Sequence, residues 1–214
     1  MASSSLMKFY LSSFHVGDRS ADLQRLAQGR RIGLVPNAID YLEPEAAGAR
    51  NALAVDELRA LEIDVEIFDL RGHFARGDIT GALAAYGGVW VRGGNTFVLR
   101  QAMRLSGFDR ALTELRSHDF LYAGYSAGVC VLAPTLDGLQ QVDDPTVMPY
   151  ANSSVIWEGL GFLDYLVLPH YRSDHPESPA IDKEVDYCTR NGIPFRTLRD
   201  GEVIIIEDRS SHDP

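Results

Sequence analysis

The chain has 214 residues, of which 45% are hydrophobic and 23% charged, a formal net charge of −10 and a pI near 5.0. This length and composition are typical of one globular domain, residues 1–214, and differ from the biased compositions of disordered or fibrous chains. The acidic balance argues against nucleic acid as a partner, because sequence-independent binding depends on clustered Lys and Arg.

The sequence contains no run of about 20 apolar residues, the length that a membrane-spanning helix requires. Residues 1–22 alternate apolar and polar side chains instead of forming the long apolar region of a secretion signal. We therefore expect a cytoplasmic protein with no membrane partner. Cys130 and Cys188 lie far apart without CxxC or Cys/His spacing, so we predict reduced, buried thiols and neither a disulfide framework nor a zinc site.

Apolar runs of strand length alternate along the chain with segments of helical periodicity. Strands are predicted at residues 6–14, 31–38, 65–70, 88–94, 120–126, 164–170, 194–198 and 202–208. Helices are predicted at residues 19–29, 43–63, 77–86, 95–105, 108–116, 127–133 and 179–191. Strands separated by helices indicate βαβ units, and continuous apolar runs indicate strands covered on both faces. The sequence thus predicts an α/β fold with a three-layer, mostly parallel sheet and no internal domain boundary.

Three unusual loops follow predicted strands: "RGGNT" (92–96), "GYSAG" (124–128) and "PHYRSDHPES" (169–178). Ligand sites of open α/β sheets lie at the carboxyl ends of the strands. In the second loop, Ser126 stands between two glycines at a strand-to-helix turn. Such a nucleophile elbow exposes the serine hydroxyl for attack. The pattern alone is weak, since any tight turn rich in small residues matches it.

A serine hydroxyl needs a base within hydrogen-bond reach. Of the six histidines, His170 ends a predicted strand at the same sheet edge as Ser126, and His175 is the alternative base or a substrate contact. His118 and His212 are expected to be solvated, and the sequence gives His15 and His73 no partner. The six candidates are His15, His73, His118, His170, His175 and His212.

A carboxylate usually fixes the tautomer of a catalytic histidine. In the order Ser, acid, His, this residue lies between positions 126 and 170. The candidates are Asp137, Asp143, Asp144, Glu158 and Asp164. We favour Asp144, then Asp143, in the turn-rich stretch "QQVDDPTV"; a solvated turn remains the alternative for both.

The residues of the "RGGNT" loop allow three interpretations. Gly93 and Gly94 allow close approach of the main chain to a ligand, but no Lys-Ser/Thr pair follows and the spacing is not GxGxxG, so nucleotide binding is not favoured. An oxyanion hole formed by the N–H groups of Gly94 and Ala127 explains the glycines better, and a plain tight turn is the alternative.

With "RGGNTFVL", "GYSAGVCVLAPT", "VDDP" and "LPHYRSDHP" in this order, the chain resembles the peptidase E family of serine peptidases, which includes the cyanophycinases. The resemblance spans about residues 31–208. It implies a flavodoxin-like α/β fold related to class I glutamine amidotransferases. It also implies a catalytic Ser126, a base at His170, an acid on the "VDDP" loop and an oxyanion hole at Gly94 and Ala127.

The substrate is the point on which the sequence departs from the best-known members. Aspartyl dipeptidases place an arginine beyond the catalytic histidine, whereas "ESPAIDKEV" (177–185) has none. Strict Asp-X specificity is therefore not predicted, because the point charge of a lysine does not readily replace a bidentate arginine. The cyanophycinase branch ranks lower, as 214 residues is short for it.

These observations lead to the hypothesis of a serine exopeptidase, dipeptidase-like, with no metal or organic cofactor, acting as a monomer or homodimer on short peptides. The predicted triad is Ser126, His170 and Asp144. Substrate contacts are predicted at Asn95, Tyr171, Arg172 and His175. The alternatives are a non-catalytic ligand-binding module on the same fold and an esterase or amidase for a non-peptide acyl compound.

Overall fold

The structure is a computed structural model that describes residues 6–74, 76–151 and 153–207. Its strands are β1 (Lys8–Ser12), β2 (Arg31–Val35), β3 (Asp64–Ile67), β4 (Gly88–Val91), β5 (Leu121–Tyr125), β6 (Leu166–Leu168), β7 (Phe195–Thr197) and β8 (Val203–Ile206). Its α-helices are α1 (Ser20–Ala27), α2 (Pro44–Ala60), α3 (Ile79–Leu83), α4 (Thr96–Ser106), α5 (Phe108–Leu115), α6 (Ala127–Cys130) and α7 (Ser178–Asn191). Each of these elements coincides with a predicted one, within a few residues at the ends.

Six strands form the main sheet, in the order β3-β2-β4-β5-β1-β8. Five of them are parallel, and β8 pairs antiparallel with β1 at the edge. Parallel strands need crossover connections, and helices here supply them. This is the α/β fold with a mostly parallel sheet that the sequence predicts.

Helices cover both faces of the main sheet. Along β1, Phe9 and Leu11 pack into the cluster that includes α4 and α5 side chains, while Tyr10 packs into the cluster formed with α1 and α2. This alternation follows from the two-residue period of a strand. The central strands are therefore buried on both faces, which explains the continuous apolar runs of the sequence.

The strands β6 and β7 lie outside the main sheet, which the sequence pattern did not indicate. They pair parallel to each other as a separate two-stranded sheet. Leu166 and Leu168 of β6 pack in a third apolar cluster with Ile181 and Cys188 of α7 and with Cys130 of α6. These apolar residues are buried by helices, so pairing with the main sheet is not needed to remove them from water.

Among the described residues, no helix combines the length and the apolar character that a membrane span needs.

Candidate active site

Ser126 occupies the sharp turn between β5 and α6. Its backbone has φ 50° and ψ −119°, a conformation that residues other than glycine rarely adopt. The flanking glycines are needed because this turn packs on β4: a Cβ at Gly124 or Gly128 would lie 2.4 Å or 2.2 Å from the carbonyl oxygen of Val91. This is the geometry of a nucleophile elbow.

His170 follows β6 and is buried, with 2% of its surface exposed. Its backbone is also in the left-handed region, at φ 60°. Its N–H donates to Ser13 Oγ at 2.9 Å, and its ring Nδ1 lies 2.7 Å from Asp200 Oδ1. A carboxylate at this nitrogen selects the tautomer with the proton on Nδ1, which leaves Nε2 free to accept a proton.

Asp200 lies in the loop between β7 and β8 and is fixed from two sides. Its Oδ1 accepts from Ser13 Oγ at 2.9 Å, and its backbone N–H donates to Ser173 Oγ at 2.8 Å. Pairing of β6 with β7 continues past the strand ends, since Tyr171 N donates to Leu198 O at 3.0 Å. That pairing brings residues 198–200 alongside His170.

The end of β1 links the nucleophile to the base. The N–H of Ser126 donates to Ser12 O at 3.4 Å, while the next residue, Ser13, contacts both His170 and Asp200. Two consecutive residues of the chain therefore hold the turn of Ser126 next to the His170–Asp200 pair. Within the described residues the hydroxyl of Ser126 makes no hydrogen bond, and the nearest carboxylate to His170 Nε2 is Glu177 Oε2, at 3.9 Å.

The expectation that Asp144 orients His170 is corrected by these contacts. Asp144 is exposed, and its Oδ1 accepts from the N–H and the hydroxyl of Thr146, at 2.8 and 2.7 Å, as in a turn. The second choice, Asp143, accepts from the N–H of Thr96 at 2.8 Å and does not contact His170 either. The sequence search missed Asp200 because it was confined to positions between Ser126 and His170.

Ser126 and His170 line one cavity of about 210 Å³, together with Gly94, Asp143 and His175. The ring of His175 stacks on that of His170, with centroids 3.7 Å apart and planes 9° from parallel. Phe14 contacts both rings edge-on, at 5.5 and 5.1 Å. The predicted base and its alternative thus form a single stacked pair.

Burial governs the titration of this site. Loss of solvent around the imidazole lowers the pKa of His170; the hydrogen bond to Asp200 opposes this, and His175 adds to the lowering. His170 is therefore neutral at pH 7, the form that a general base requires. Burial also raises the pKa of Asp143 to about 7, although the N–H of Thr96 partly offsets the effect.

The residues His170, His175 and Glu177 also offer donor atoms that all lie within 4.8 Å of one another. Two imidazoles and a carboxylate form a donor set that zinc accepts. The cluster includes the ring that pairs with Asp200, so a cation there would compete with the use of His170 as a base.

The positions of both predicted oxyanion-hole residues are compatible with that role. Gly94 lines the cavity and has φ 146°, and a Cβ there would lie 2.4 Å from Ala38 O, so only glycine fits. Ala127 directly follows Ser126 and is buried. In the described parts of the chain, neither N–H donates to a backbone carbonyl. Both amides are thus available.

Of the four predicted substrate contacts, the structure brings only His175 to the cavity. Asn95 is a helix cap: its Oδ1 accepts from the N–H groups of Phe97 and Val98, and its Nδ2 donates to Asp144 O. Arg172 is exposed, with its guanidinium 4.9 Å from the ring centroid of Tyr171. Neither of these two residues lines the cavity.

Several cavity residues were absent from the sequence prediction, and four of them have polar or charged side chains that bear on substrate binding. These four are Tyr41, Arg50, Arg92 and Glu177. Arg92 stands immediately before the two glycines of the "RGGNT" loop, so its place in the sequence could have indicated that it lies at the site. The position of Arg50 depends on how α2 packs, which no local pattern gives.

Comparison with known proteins relates this chain to peptidases. The sequence model described as peptidase family S51 matches residues 1–213. Peptidase E of Streptomyces coelicolor is 30% identical over 187 residues, which cover 85% of this chain and 70% of that protein. An uncharacterized peptidase of Pasteurella multocida is 27% identical over 206 residues, 94% of each chain.

Solved structures share the fold. The crystal structure of a peptidase E candidate from Listeria monocytogenes superposes with a TM-score of 0.74 at 24% identity, covering 96% of both chains. A peptidase from an acI-B1 actinobacterium gives a TM-score of 0.67 at 13% identity, covering 95% of this chain and 84% of that one. With its sequence matched almost end to end, the chain belongs to peptidase family S51, a family of serine-type peptidases that includes peptidase E.

Proposed function

We propose that this peptidase is a dipeptidase-like serine exopeptidase in which Ser126 is the nucleophile, His170 the general base and Asp200 the residue that orients His170. The observation that carries the proposal is that Ser126, on its strained turn, and the buried His170, which is paired with Asp200, line one small cavity. A neutral histidine beside a serine at an elbow is the arrangement that activates a hydroxyl.

The chemistry follows from these positions. His170 Nε2 takes the proton of the Ser126 hydroxyl as its oxygen attacks the scissile carbonyl, and Asp200 stabilises the resulting imidazolium. The N–H groups of Gly94 and Ala127 hold the oxyanion. His170 then protonates the leaving amine, and water hydrolyses the acyl-enzyme with the same base.

The Ser126–His170 contact and the size and charge of the cavity both bear on the substrate. The hydroxyl of Ser126 is not yet hydrogen-bonded to His170, and catalytic hydrogen bonds often tighten only when substrate binds. The cavity of about 210 Å³ favours short peptides over long ones. Its lining carries both acidic and basic side chains, which suits a peptide with charged ends better than an apolar acyl ester.

The test is hydrolysis of a panel of dipeptides and tripeptides, with Asp-X, X-Asp and uncharged pairs, by wild type and by Ser126→Ala. We expect cleavage of dipeptides by wild type and none by the variant, whose circular dichroism and melting temperature should match wild type. Cleavage by Ser126→Ala at the wild-type rate would refute the role of Ser126. Cleavage of p-nitrophenyl acetate alone, without any peptide, would refute the peptide substrate.

A further inference from the structure

One buried arginine at the active-site cavity has no anionic partner. Arg92 is 7% exposed, and its guanidinium donates to two neutral oxygens: Nε to Gly93 O at 3.1 Å and Nη1 to Asn51 Oδ1 at 2.7 Å. In the ranges that the structure describes, no carboxylate forms an ion pair with it. Buried charges are normally paired.

Another buried arginine shows what the ordinary solution is. Arg100 is 3% exposed, and its Nη1 lies 3.0 Å from Asp109 Oδ2. Arg100 does not line the active-site cavity, whereas Arg92 does. The arginine without a counterion is thus the one that faces the space where a substrate would bind.

A second guanidinium reaches the same cavity. Arg50 lies on α2, one residue before Asn51, which holds Arg92. Arg50 is exposed and, as far as the described residues extend, makes no salt bridge. Two arginines without carboxylate partners beside Ser126 are unusual in a chain with a net charge of −10.

The cavity also contains two carboxyl groups, Asp143 and Glu177, and neither forms an ion pair with Arg50 or Arg92. Glu177 lies instead near the histidines, 3.9 Å from His170 Nε2. Because the cationic and anionic side chains of the cavity do not pair with each other, the cavity complements a ligand that carries both charges. A short peptide with a free amino group and a carboxylate is such a ligand.

We infer that Arg92, assisted by Arg50, forms a carboxylate-binding subsite for the substrate peptide. The inference rests on the proposed function and narrows its substrates to peptides with a carboxylate close to the scissile bond. The planar fork of a guanidinium binds a carboxylate through two parallel hydrogen bonds, and partial burial strengthens them. The carboxylate is either the side chain of an N-terminal acidic residue or the C-terminus of a dipeptide.

The experiment compares Arg92→Gln and Arg50→Gln with the control Arg59→Gln, an exposed arginine on the same helix as Arg50 that does not line the cavity. Substrates are Asp-Leu, Asn-Leu, Asp-Leu-amide and Asn-Leu-amide. We expect Arg92→Gln to lower kcat/KM for carboxylate-bearing peptides about 10- to 100-fold, the size of a lost hydrogen bond between charged groups. Arg50→Gln should have a smaller effect and Arg59→Gln none.

The substrate pairs identify which carboxylate is bound. If it is the side chain, replacing Asp by Asn costs wild type as much as Arg92→Gln does, and the amide costs little; if it is the C-terminus, the reverse holds. In either case, the loss in Arg92→Gln disappears once the critical carboxylate is removed. An equal loss on all four peptides overturns the inference while leaving the peptidase assignment intact.

Binding measurements separate the inference from catalysis. Calorimetry with Ser126→Ala protein and the same four peptides should show binding that depends on the carboxylate and is lost in Ser126→Ala/Arg92→Gln. Equal or absent binding of all four peptides overturns the subsite, whatever the turnover shows. Should Arg92→Gln fail to fold by circular dichroism, Arg92→Lys keeps the charge without the fork and is expected to lose most of the carboxylate preference.

Discussion

Ser126 and His170 meet at one cavity, yet different kinds of contact hold them there. The turn of Ser126 is set by its own neighbours, since Gly124 and Gly128 both pack on the backbone of Val91. His170 depends instead on residues far along the chain: its N–H binds Ser13, 157 positions away, and its ring binds Asp200, 30 positions away. The nucleophile is thus a local feature of one strand and helix, and the base is a product of tertiary structure.

The largest loss of activity is expected from a change at Asp200, one of the distant residues that hold His170. In Asp200→Asn, the side-chain amide no longer selects the tautomer with the proton on Nδ1, so Nε2 cannot act as a base. We expect kcat/KM on the best dipeptide to fall about 10³- to 10⁴-fold, as when the acid of a catalytic triad is replaced by its amide. Steady-state kinetics on the purified variant measures this.

Asp144→Asn is the matched control for that change, because among the described residues the exposed carboxylate of Asp144 accepts hydrogen bonds only from Thr146. Its kcat/KM should remain within about twofold of wild type, since surface changes of this kind have small effects. A large loss in Asp144→Asn together with full activity in Asp200→Asn would restore the original assignment of the acid and contradict the contacts described above.

The local half is best broken at Gly128. A methyl group there would lie 2.2 Å from Val91 O, an atom of the backbone that cannot move aside. We expect Gly128→Ala to lower the free energy of unfolding by about 1–3 kcal/mol, the usual cost of forcing extra atoms into a packed site. Thermal or urea unfolding measures the loss.

Gly48→Ala is the control for this substitution. Gly48 lies within α2, and a Cβ there would meet no atom within 4 Å. Replacing a helical glycine by alanine in open space should raise stability by about 0.5–1 kcal/mol. Equal effects of the two changes would show that the turn of Ser126 is not packed as tightly as its geometry indicates.

The same difference explains what sequence reasoning found and what it missed. Ser126 and its elbow could be predicted because strand, glycines and helix are consecutive. Asp200 could not, because its place beside His170 depends on the register of β6 with β7, continued by the bond from Tyr171 to Leu198. A search for the acid that extended beyond His170 would have included it in "RDGE", but no local pattern marks it.

The fold was predictable almost element by element, because hydrophobic periodicity reports burial directly. Periodicity does not report which strand pairs with which, so the separate sheet of β6 and β7 was not expected. The roles of individual side chains were the hardest feature to predict from the sequence. Asn95 looked like a substrate contact from its loop, but its oxygen caps α4, and an Asn before a helix serves as a cap as readily as it binds a ligand.

The smallest expected effect is on the pH dependence of kcat/KM, which tests what sets the pKa of His170. Because burial lowers the pKa of His170 from its ordinary value of 6.5, the ring stays neutral until the pH falls below that value. The acid limb that reports His170 should therefore have its midpoint below pH 6.5. His175 adds to the lowering, so His175→Gln should move the midpoint upward, by less than about one unit.

Asp143, whose pKa is about 7 and which also lines the cavity, is the other group that titrates in this range. Asp143→Asn distinguishes the two groups. An acid limb that persists in this variant and moves in His175→Gln belongs to His170. A limb that disappears in Asp143→Asn would mean that the carboxyl group of Asp143, and not the stacked histidine pair, sets the pH profile.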